Sequence, residues 1–217
     1  MRACIPITAK NTENFIRDIK KAESLVDLIE LRLDFIPNID EHILRRIFKN
    51  KTKKVIVTCR PKYEGGHFTG TEEQRAQLLA AAIDFGAEYI DIESRSAKPI
   101  QKLLSHKKRS KIIYSYHNFE KTGELIKIYS KIKIPDADVV KIATFANSYA
   151  DNLNIFFLLQ QTDDLVALCM GEKGKVSRVL CPLFGSLWTY ASLEKNKESA
   201  PGQITYHELI KLYEMLR

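Results

Sequence analysis

The stretch KIIYSYHNFEKTGELIKIYSKIKIPDADVVKIAT, at positions 111–144, contains the pattern that decides the fold. Short apolar runs at 111–119 and 138–144 are typical of β-strands, and the segment 122–131 between them has helical periodicity. A strand, a helix and a second strand in this order predict a unit of an α/β fold. The exceptional residue is Lys141, which stands between valines, isoleucine and alanine in the second strand.

The same alternation runs along the whole chain. The predicted strands are 3–8, 28–34, 54–60, 88–93, 111–119, 138–144, 165–170 and 187–192. The predicted helices are 12–23, 39–49, 71–84, 98–106, 122–131, 147–160, about 174–181 and 205–215. Capping boxes, Thr71 with Gln74 and Thr205 with Glu208, support two of the helix starts. Eight such units without a linker predict one (β/α)8 TIM barrel domain over residues 1–217. An open doubly wound sheet is the alternative, because a strand count does not prove closure.

Composition limits the class of protein. Hydrophobic residues make up 45% of the 217 residues and charged residues 28%, which is typical of a globular domain. No segment approaches the roughly 18 apolar residues that a membrane span needs, so we expect no membrane partner. The four cysteines are widely spaced and form no CxxC pair, which predicts reduced core thiols and a cytoplasmic location.

The net charge of +7 raises the question of nucleic acid. The basic segments 48–54 (FKNKTKK) and 105–111 (SHKKRSK) directly precede strands and contain no interleaved aromatic platform. We therefore read them as solvated loops and expect no nucleic-acid partner. No GxGxxG turn follows the first strand and no Walker motif occurs, which removes the main support for a nucleotide site.

Polar residues lie late in several strands, where a barrel has its active site. Glu30 and Arg32 are two residues apart and point to one face, so we expect both inside the barrel, either as functional groups or as a structural ion pair that fills it. Arg60 ends the third strand, and His117 lies near the end of the fifth. Taken singly, His117 fits a core histidine, and Lys141 fits a lysine that reaches solvent from a strand edge.

Together these positions predict a chemical site. Apolar neighbours disfavour the charged form of Lys141, and Arg32 and Arg60 act in the same direction, so we expect its pKa to fall toward neutrality. An uncharged amine attacks a carbonyl to form a Schiff base. His117 beside it would move protons on the neighbouring carbon.

Seven motifs, in order, resemble those of the type I 3-dehydroquinate dehydratase family. They are ELR (30–32), TCRPKYEGG (58–66), YHNF (116–119), KIA (141–143), MGEKGKVSR (170–178), FGS (184–186) and SAPGQI (199–204). The resemblance implies a (β/α)8 barrel that dehydrates 3-dehydroquinate to 3-dehydroshikimate through a lysine Schiff base, in the shikimate pathway. It implies no cofactor and no metal, because the iminium is the electron sink, and it suggests a homodimer.

The resemblance also implies roles for individual residues. Lys141 corresponds to the Schiff-base lysine, His117 to the general acid and base, and Glu64 to the acid that orients it. Substrate-binding positions correspond to Glu30, Arg32, Arg60, Arg178, Ser199 and Gln203, and pocket-lining positions to Phe119 and Met170. We expect residues 199–203 to form a lid over the substrate.

Some features depart from the family pattern. Pro6 stands where many members have a serine that touches substrate, and the loop before Ser199 is longer than expected. Because the first predicted strand begins at residue 3, we expect no N-terminal hairpin of the kind that longer members have. Asp91 and Glu93 share one strand face, and we expect them to form core ion pairs.

Two other functions remain open from the residues alone. A Schiff-base aldolase or transaldolase would use the same lysine, but such enzymes grip a sugar phosphate with Gly-rich loops after strands 7 and 8. A non-catalytic basic barrel that binds RNA or an acidic partner would show strong salt dependence and no carbonyl chemistry.

Overall fold

The computed structural model of the chain describes residues 2–216. Strands β1–β8 are Ala3–Ile7, Leu28–Arg32, Lys54–Thr58, Tyr89–Glu93, Lys111–Asn118, Val139–Phe145, Leu165–Met170 and Thr189–Tyr190. Helices α1–α8 are Thr12–Glu23, Glu41–Asn50, Glu72–Asp84, Lys98–Gln101, Leu125–Ile132, Asp151–Leu159, Lys175–Leu180 and Tyr206–Met215. Every predicted strand and helix is confirmed, with shifts at several boundaries.

Two boundary shifts have local causes. The helix predicted at 147–160 begins at Asp151, because the Asp151 carboxylate accepts hydrogen bonds from the backbone N–H groups of Asn147 and Ser148 and holds them in a turn. The helix predicted at 98–106 is α-helical only in α4 and continues as a 3-10 helix over Lys102–His106. Both predicted capping boxes are present, at the starts of α3 and α8.

The strands form one parallel sheet in the order β7-β6-β5-β4-β3-β2-β1-β8. Between β7 and β8 the backbone N–H of Leu187 donates to the carbonyl of Leu165 at 3.1 Å, at the amino end of β7. The eight strands, each followed by a helix, therefore make a nearly closed barrel. The prediction of a (β/α)8 barrel is confirmed, and the open doubly wound sheet is wrong.

Side chains alternate between two environments along each strand. Outward residues such as Leu31 and Ile142 belong to the large core between the strands and the helices. Inward residues at the amino ends of the strands, such as Ile113, Val139 and Trp188, form a second apolar cluster. One step further along β6, the inward position is Lys141. The barrel interior thus has an apolar floor, and its charged groups lie toward the carboxyl ends of the strands.

The four cysteines are free and buried, as predicted. Cys4 belongs to the inner cluster, and Cys59, Cys169 and Cys181 belong to the outer core. Burial raises the pKa of each thiol, so these side chains are structural. Over residues 2–216, every helix is too short or too polar to cross a bilayer.

Candidate active site

One pocket opens at the carboxyl ends of the strands. Its lining includes all the residues that the sequence analysis selected: Lys141, His117, Glu64, Glu30, Arg32, Arg60, Arg178, Ser199, Gln203, Phe119 and Met170. The predicted convergence of these side chains is therefore observed. The chemical roles assigned to them remain predictions.

Lys141 lies inside the barrel and is 7% exposed. Its Nζ is 3.0 Å from Asp91 Oδ2 and 3.5 Å from Glu30 Oε1, and it lies 4.5 Å from the centre of the Tyr190 ring. The amine is thus held between two carboxylates and an aromatic face. This corrects the expectation that apolar residues and arginines dominate its surroundings.

A chain of alternating charges leads from the amine to the outer helices. Arg60 contacts Asp91 at 2.9 Å and Glu93 at 2.7 Å, and Arg75 of α3 contacts Glu93 at 2.6 Å. Burial alone would raise the pKa of Asp91, but Arg60 and Lys141 hold it well below its ordinary value. The prediction that Asp91 and Glu93 form core ion pairs is confirmed, and Asp91 in addition faces the lysine.

Glu30 and Arg32 have separate partners. Arg32 donates two hydrogen bonds to Asp34, at 2.9 and 2.8 Å, whereas Glu30 accepts one from the Thr58 hydroxyl at 2.7 Å. They do not form the ion pair with each other that the structural alternative required. Both therefore present polar atoms to the pocket, and Arg32 is already neutralised before any ligand arrives.

His117 lies on β5, next to the lysine strand. Ser115 is opposite Lys141 and His117 is opposite Ala143, so His117 projects from the same inner face one step nearer the mouth. Glu64 Oε2 is 3.3 Å from His117 Nδ1, a close contact that is not aligned as a hydrogen bond. Contacts between catalytic groups are often long in a free enzyme and tighten when substrate binds.

The surroundings of His117 and Glu64 shift the pKa values of both groups. Burial, with the positive charges of Arg60 and Lys141, lowers the pKa of His117 well below its ordinary value. Burial also raises the pKa of Glu64, although Arg95 and Arg60 oppose the rise. The imidazole is therefore neutral at physiological pH and can accept a proton.

Arg178 is a buried cation that has no counter-ion in the described part of the chain. It lies on α7, is 2% exposed, and donates one hydrogen bond to the Pro201 carbonyl at 3.1 Å. Its Nε has no partner, and no carboxylate within residues 2–216 pairs with it. Burial lowers its pKa to about 10. Such an arrangement fits a site for an anionic ligand.

The segment 199–203 lies against the mouth of the barrel. Gly171 donates its backbone N–H to Pro201 at 3.1 Å, and Ser199 donates its own to Gln203 Oε1 at 2.8 Å. None of the described residues accepts a hydrogen bond from the buried Nε2 of Gln203, so this donor is available for a ligand. Gly202 has a φ of +75°, and a Cβ there would lie 2.1 Å from the Gly171 carbonyl oxygen.

Sequence reasoning missed two parts of the site. Tyr190 on β8 forms a wall of the pocket, and the signal was its place near the carboxyl end of a strand. The second part is the contact of Asp91 with Lys141: the sequence predicts only a core ion pair for Asp91, and its place two residues before Glu93 on β4 is the signal for the inner face. Within residues 2–216 no group of three or more His, Cys, Asp or Glu side chains is arranged to hold a metal ion.

Comparisons with known proteins agree with this geometry. A family model described as Type I 3-dehydroquinase matches residues 3–217. The 3-dehydroquinate dehydratase of Coxiella burnetii (strain CbuK_Q154) is 36% identical and the alignment covers 98% of this chain and 92% of the relative. That of Methanocaldococcus jannaschii is 34% identical, with 98% of each chain covered. A crystal structure of the type I 3-dehydroquinate dehydratase from Clostridium difficile, with covalently modified comenic acid, has a TM-score of 0.86 at 25% identity and covers 99% of this chain and 91% of the other. The chain belongs to the type I 3-dehydroquinase family.

Proposed function

We propose that the chain dehydrates 3-dehydroquinate to 3-dehydroshikimate through an imine between the substrate ketone and Lys141. The observation that carries the proposal is the shared pocket, in which a buried lysine, a neutral histidine and an unpaired arginine converge. Membership of the family supports the same reaction.

Binding follows from the groups that lack partners. The substrate carboxylate would pair with Arg178, whose charge has no counter-ion within residues 2–216. Its hydroxyls would accept from Gln203 Nε2 and contact Ser199, Glu30, Arg32 and Arg60, which line the pocket. Phe119 and Met170 would bound the ring.

Imine formation uses the pair of carboxylates beside the lysine. The Lys141 ammonium gives a proton to the neutral imidazole of His117, and the free amine attacks the ketone carbon to form a carbinolamine. The imidazolium returns that proton to the carbinolamine hydroxyl, which leaves as water. The resulting iminium carries one positive charge where the ammonium stood. Asp91 and Glu30, at 3.0 and 3.5 Å from Nζ, therefore stabilise that charge without rearranging.

Elimination uses the neighbouring strand. His117 accepts a proton from the carbon next to the iminium, and the electron pair moves into the iminium, so no cofactor is needed. The electron pair of the enamine then returns to restore the iminium and form the new C=C bond, and the hydroxyl on the next carbon leaves as water with the proton of the His117 imidazolium. Glu64 holds the imidazolium through Nδ1. Hydrolysis of the imine releases the product and regenerates the lysine.

The test combines turnover with chemical trapping. Incubation with 3-dehydroquinate should produce the enone absorbance of the product, and borohydride should fix an adduct that mass spectrometry maps to Lys141. Lys141→Met should abolish both signals, whereas Lys127→Met, at an exposed lysine of α5, should change neither. His117→Ala should still be trapped but should not turn over. Absence of an adduct in the wild-type protein would refute the imine. A trapped sugar phosphate without dehydration would favour the aldolase.

We further propose a homodimer, in which an exposed apolar stripe on α6 contacts a second copy. Leu153 and Phe157 are 53% and 66% exposed one helical turn apart, and Ile126 of the adjacent α5 is 56% exposed. Phe157→Glu should give a monomer in sedimentation equilibrium, and Glu124→Lys, at an exposed acid of the same surface region, should not.

We also propose that the protein acts in the cytoplasm and binds no nucleic acid. Four buried free thiols fit a reducing compartment. Several cations of the basic segments have acidic partners: Lys53 with Asp27, Lys54 with Glu88, Lys107 with Asp138, and Lys108 with Asp84. Binding to an RNA oligonucleotide at physiological salt would contradict this proposal.

A further inference from the structure

Arg95 lies in the loop after β4, outside the pocket lining. Its Nε donates to Glu64 Oε1 at 2.9 Å, and its Nη2 donates to the backbone carbonyl of His117 at 3.1 Å. The guanidinium also lies 5.5 Å from the centre of the Tyr116 ring. Arg95 therefore links the turn that carries Glu64 to the strand that carries His117.

The Glu64 carboxylate is divided between two partners. One oxygen accepts from Arg95, and the other lies 3.3 Å from His117 Nδ1. The Glu64 side chain is fully buried, whereas that of Arg95 is 59% exposed. A cation at the solvent boundary thus covers a buried anion, and the other oxygen of that anion is turned toward the imidazole.

The other charges around Glu64 do not replace Arg95. Arg60 lies on the same chain segment, but Asp91 and Glu93 already bind its guanidinium. Glu93 on β4 is a negative charge near Glu64 and raises its pKa. Tyr63, the residue before Glu64, has a neutral hydroxyl, and His117 on β5 is neutral, so neither supplies a positive charge. Among residues 2–216, the one ion pair of Arg95 is with Glu64.

We propose that Arg95 is a positioning residue for the dehydration: it keeps Glu64 ionised and holds its second oxygen against Nδ1 of His117. This inference rests on the proposed function for its kinetic test. Glu64 must be a carboxylate to stabilise the imidazolium that forms when His117 takes the substrate proton. Arg95 then acts through Glu64 and touches neither the substrate nor the lysine.

The direction of the effect follows from the surroundings of Glu64. Burial raises the pKa of Glu64, and Arg95 opposes that rise. Removing the Arg95 charge should raise the pKa further, so Glu64 becomes protonated at a higher pH and activity falls earlier on acidification. Because Arg95 is largely exposed, we expect a shift of about 0.5 to 1 pH unit, or about three- to tenfold in rate on the acidic limb.

The experiment compares pH–rate profiles of three variants of the full chain with wild type. Arg95→Gln removes the charge, Arg95→Lys retains it, and Arg46→Gln removes an exposed arginine that pairs with Glu13 far from the pocket. In Arg95→Gln we expect the acidic limb of the kcat profile to shift to higher pH. KM should be unchanged, and kcat at pH 8 should differ little from that of wild type. In Arg95→Lys the acidic limb should return most of the way to its wild-type pH, and the profile of Arg46→Gln should match that of wild type.

Two outcomes would overturn the proposal. One is an Arg95→Gln profile that coincides with wild type, and the other is a loss of kcat by the same factor at every pH, which indicates only a structural link. A readout independent of activity is the Glu64 carboxyl pKa, measured by ¹³C NMR and assigned with Glu64→Gln. If wild type does not dehydrate 3-dehydroquinate, the proposed function fails, yet this NMR shift still decides whether Arg95 controls Glu64.

Discussion

Replacing Arg178 by methionine should stabilise the protein while reducing its activity. Burial lowers the pKa of Arg178 to about 10, so the free protein carries a cost of about 3 kcal/mol for this charge at neutral pH. Because the folded pKa is the lower one, that cost applies at every pH below it. Methionine replaces the guanidinium by a shorter, unbranched apolar side chain and so removes the charge.

The gain is partly offset by one lost hydrogen bond. Arg178 donates to the carbonyl of the exposed residue Pro201, and a bond from a charged donor contributes about 1.5 kcal/mol at the lower end of its range. We therefore expect the free energy of unfolding to rise by about 1 to 2 kcal/mol, which raises Tm by about 2 to 8 °C for a chain of this size. Scanning calorimetry without ligand measures this change.

Catalysis should respond in the opposite direction. Loss of one partner of a buried charge pair costs about 2 to 5 kcal/mol, so kcat/KM for 3-dehydroquinate should fall by about 30-fold to several thousandfold. The enone absorbance of the product measures this loss. The size of this loss tests whether Arg178 pairs with the carboxylate of the substrate.

Arg75→Met is the matched control, since Arg75 is also fully buried but is paired with Glu93 and Glu72. It should destabilise the protein by about 3 to 5 kcal/mol, because Glu93 loses a partner. A lower Tm for Arg178→Met, or an unchanged kcat/KM, would refute the view of Arg178 as an uncompensated charge awaiting a carboxylate.

Three further outcomes are expected. Gly202→Ala should raise KM, because the new Cβ would meet the Gly171 carbonyl and displace the segment over the mouth; Gly86→Ala, with a φ of +86° but open space around it, should leave KM unchanged. The His117 imidazole should remain neutral from about pH 6.5 upward in ¹⁵N NMR titrations, because burial lowers its pKa; a protonated ring at neutral pH would be contrary to this. Asp91→Asn should slow borohydride trapping at Lys141, because the iminium loses a charge 3.0 Å away; trapping at the wild-type rate would rule out that role.

The fold could be predicted because its signals are local. Apolar runs such as 138–144 mark buried strands, and helical periods such as 12–23 mark helices with one apolar face. A barrel of eight strand–helix units is the simplest way to bury the strands and the apolar faces of the helices together. Closure could not be predicted from strand counting. It rests on the backbone hydrogen bond from Leu187 to Leu165, which joins the two edge strands of the sheet, β8 and β7.

The site could be predicted only in part, for a related reason. His117 and Lys141 lie on consecutive strands, so their proximity follows from strand order alone. The neighbours of Lys141 do not follow from its own sequence context, since Asp91 reaches it from β4 across the inside of the barrel. Arg95 is harder still, because it lies in an irregular loop whose path no periodicity specifies.

The charges inside the barrel explain why the pocket should prefer a single carboxylate. Arg32 is matched by Asp34, Arg60 by Glu93, and the lysine by Asp91 and Glu30, so these groups are compensated before a ligand binds. Their attraction for a second anion is correspondingly weak. Arg178 alone combines burial with the lack of an acidic partner among the described residues, and its position on α7 sets where the carboxylate must lie. An added phosphate would bring more negative charge than this one cation can neutralise, and it would meet the carboxylates around Lys141. The same arrangement that admits a cyclic keto acid thus disfavours the sugar phosphates that a barrel aldolase uses.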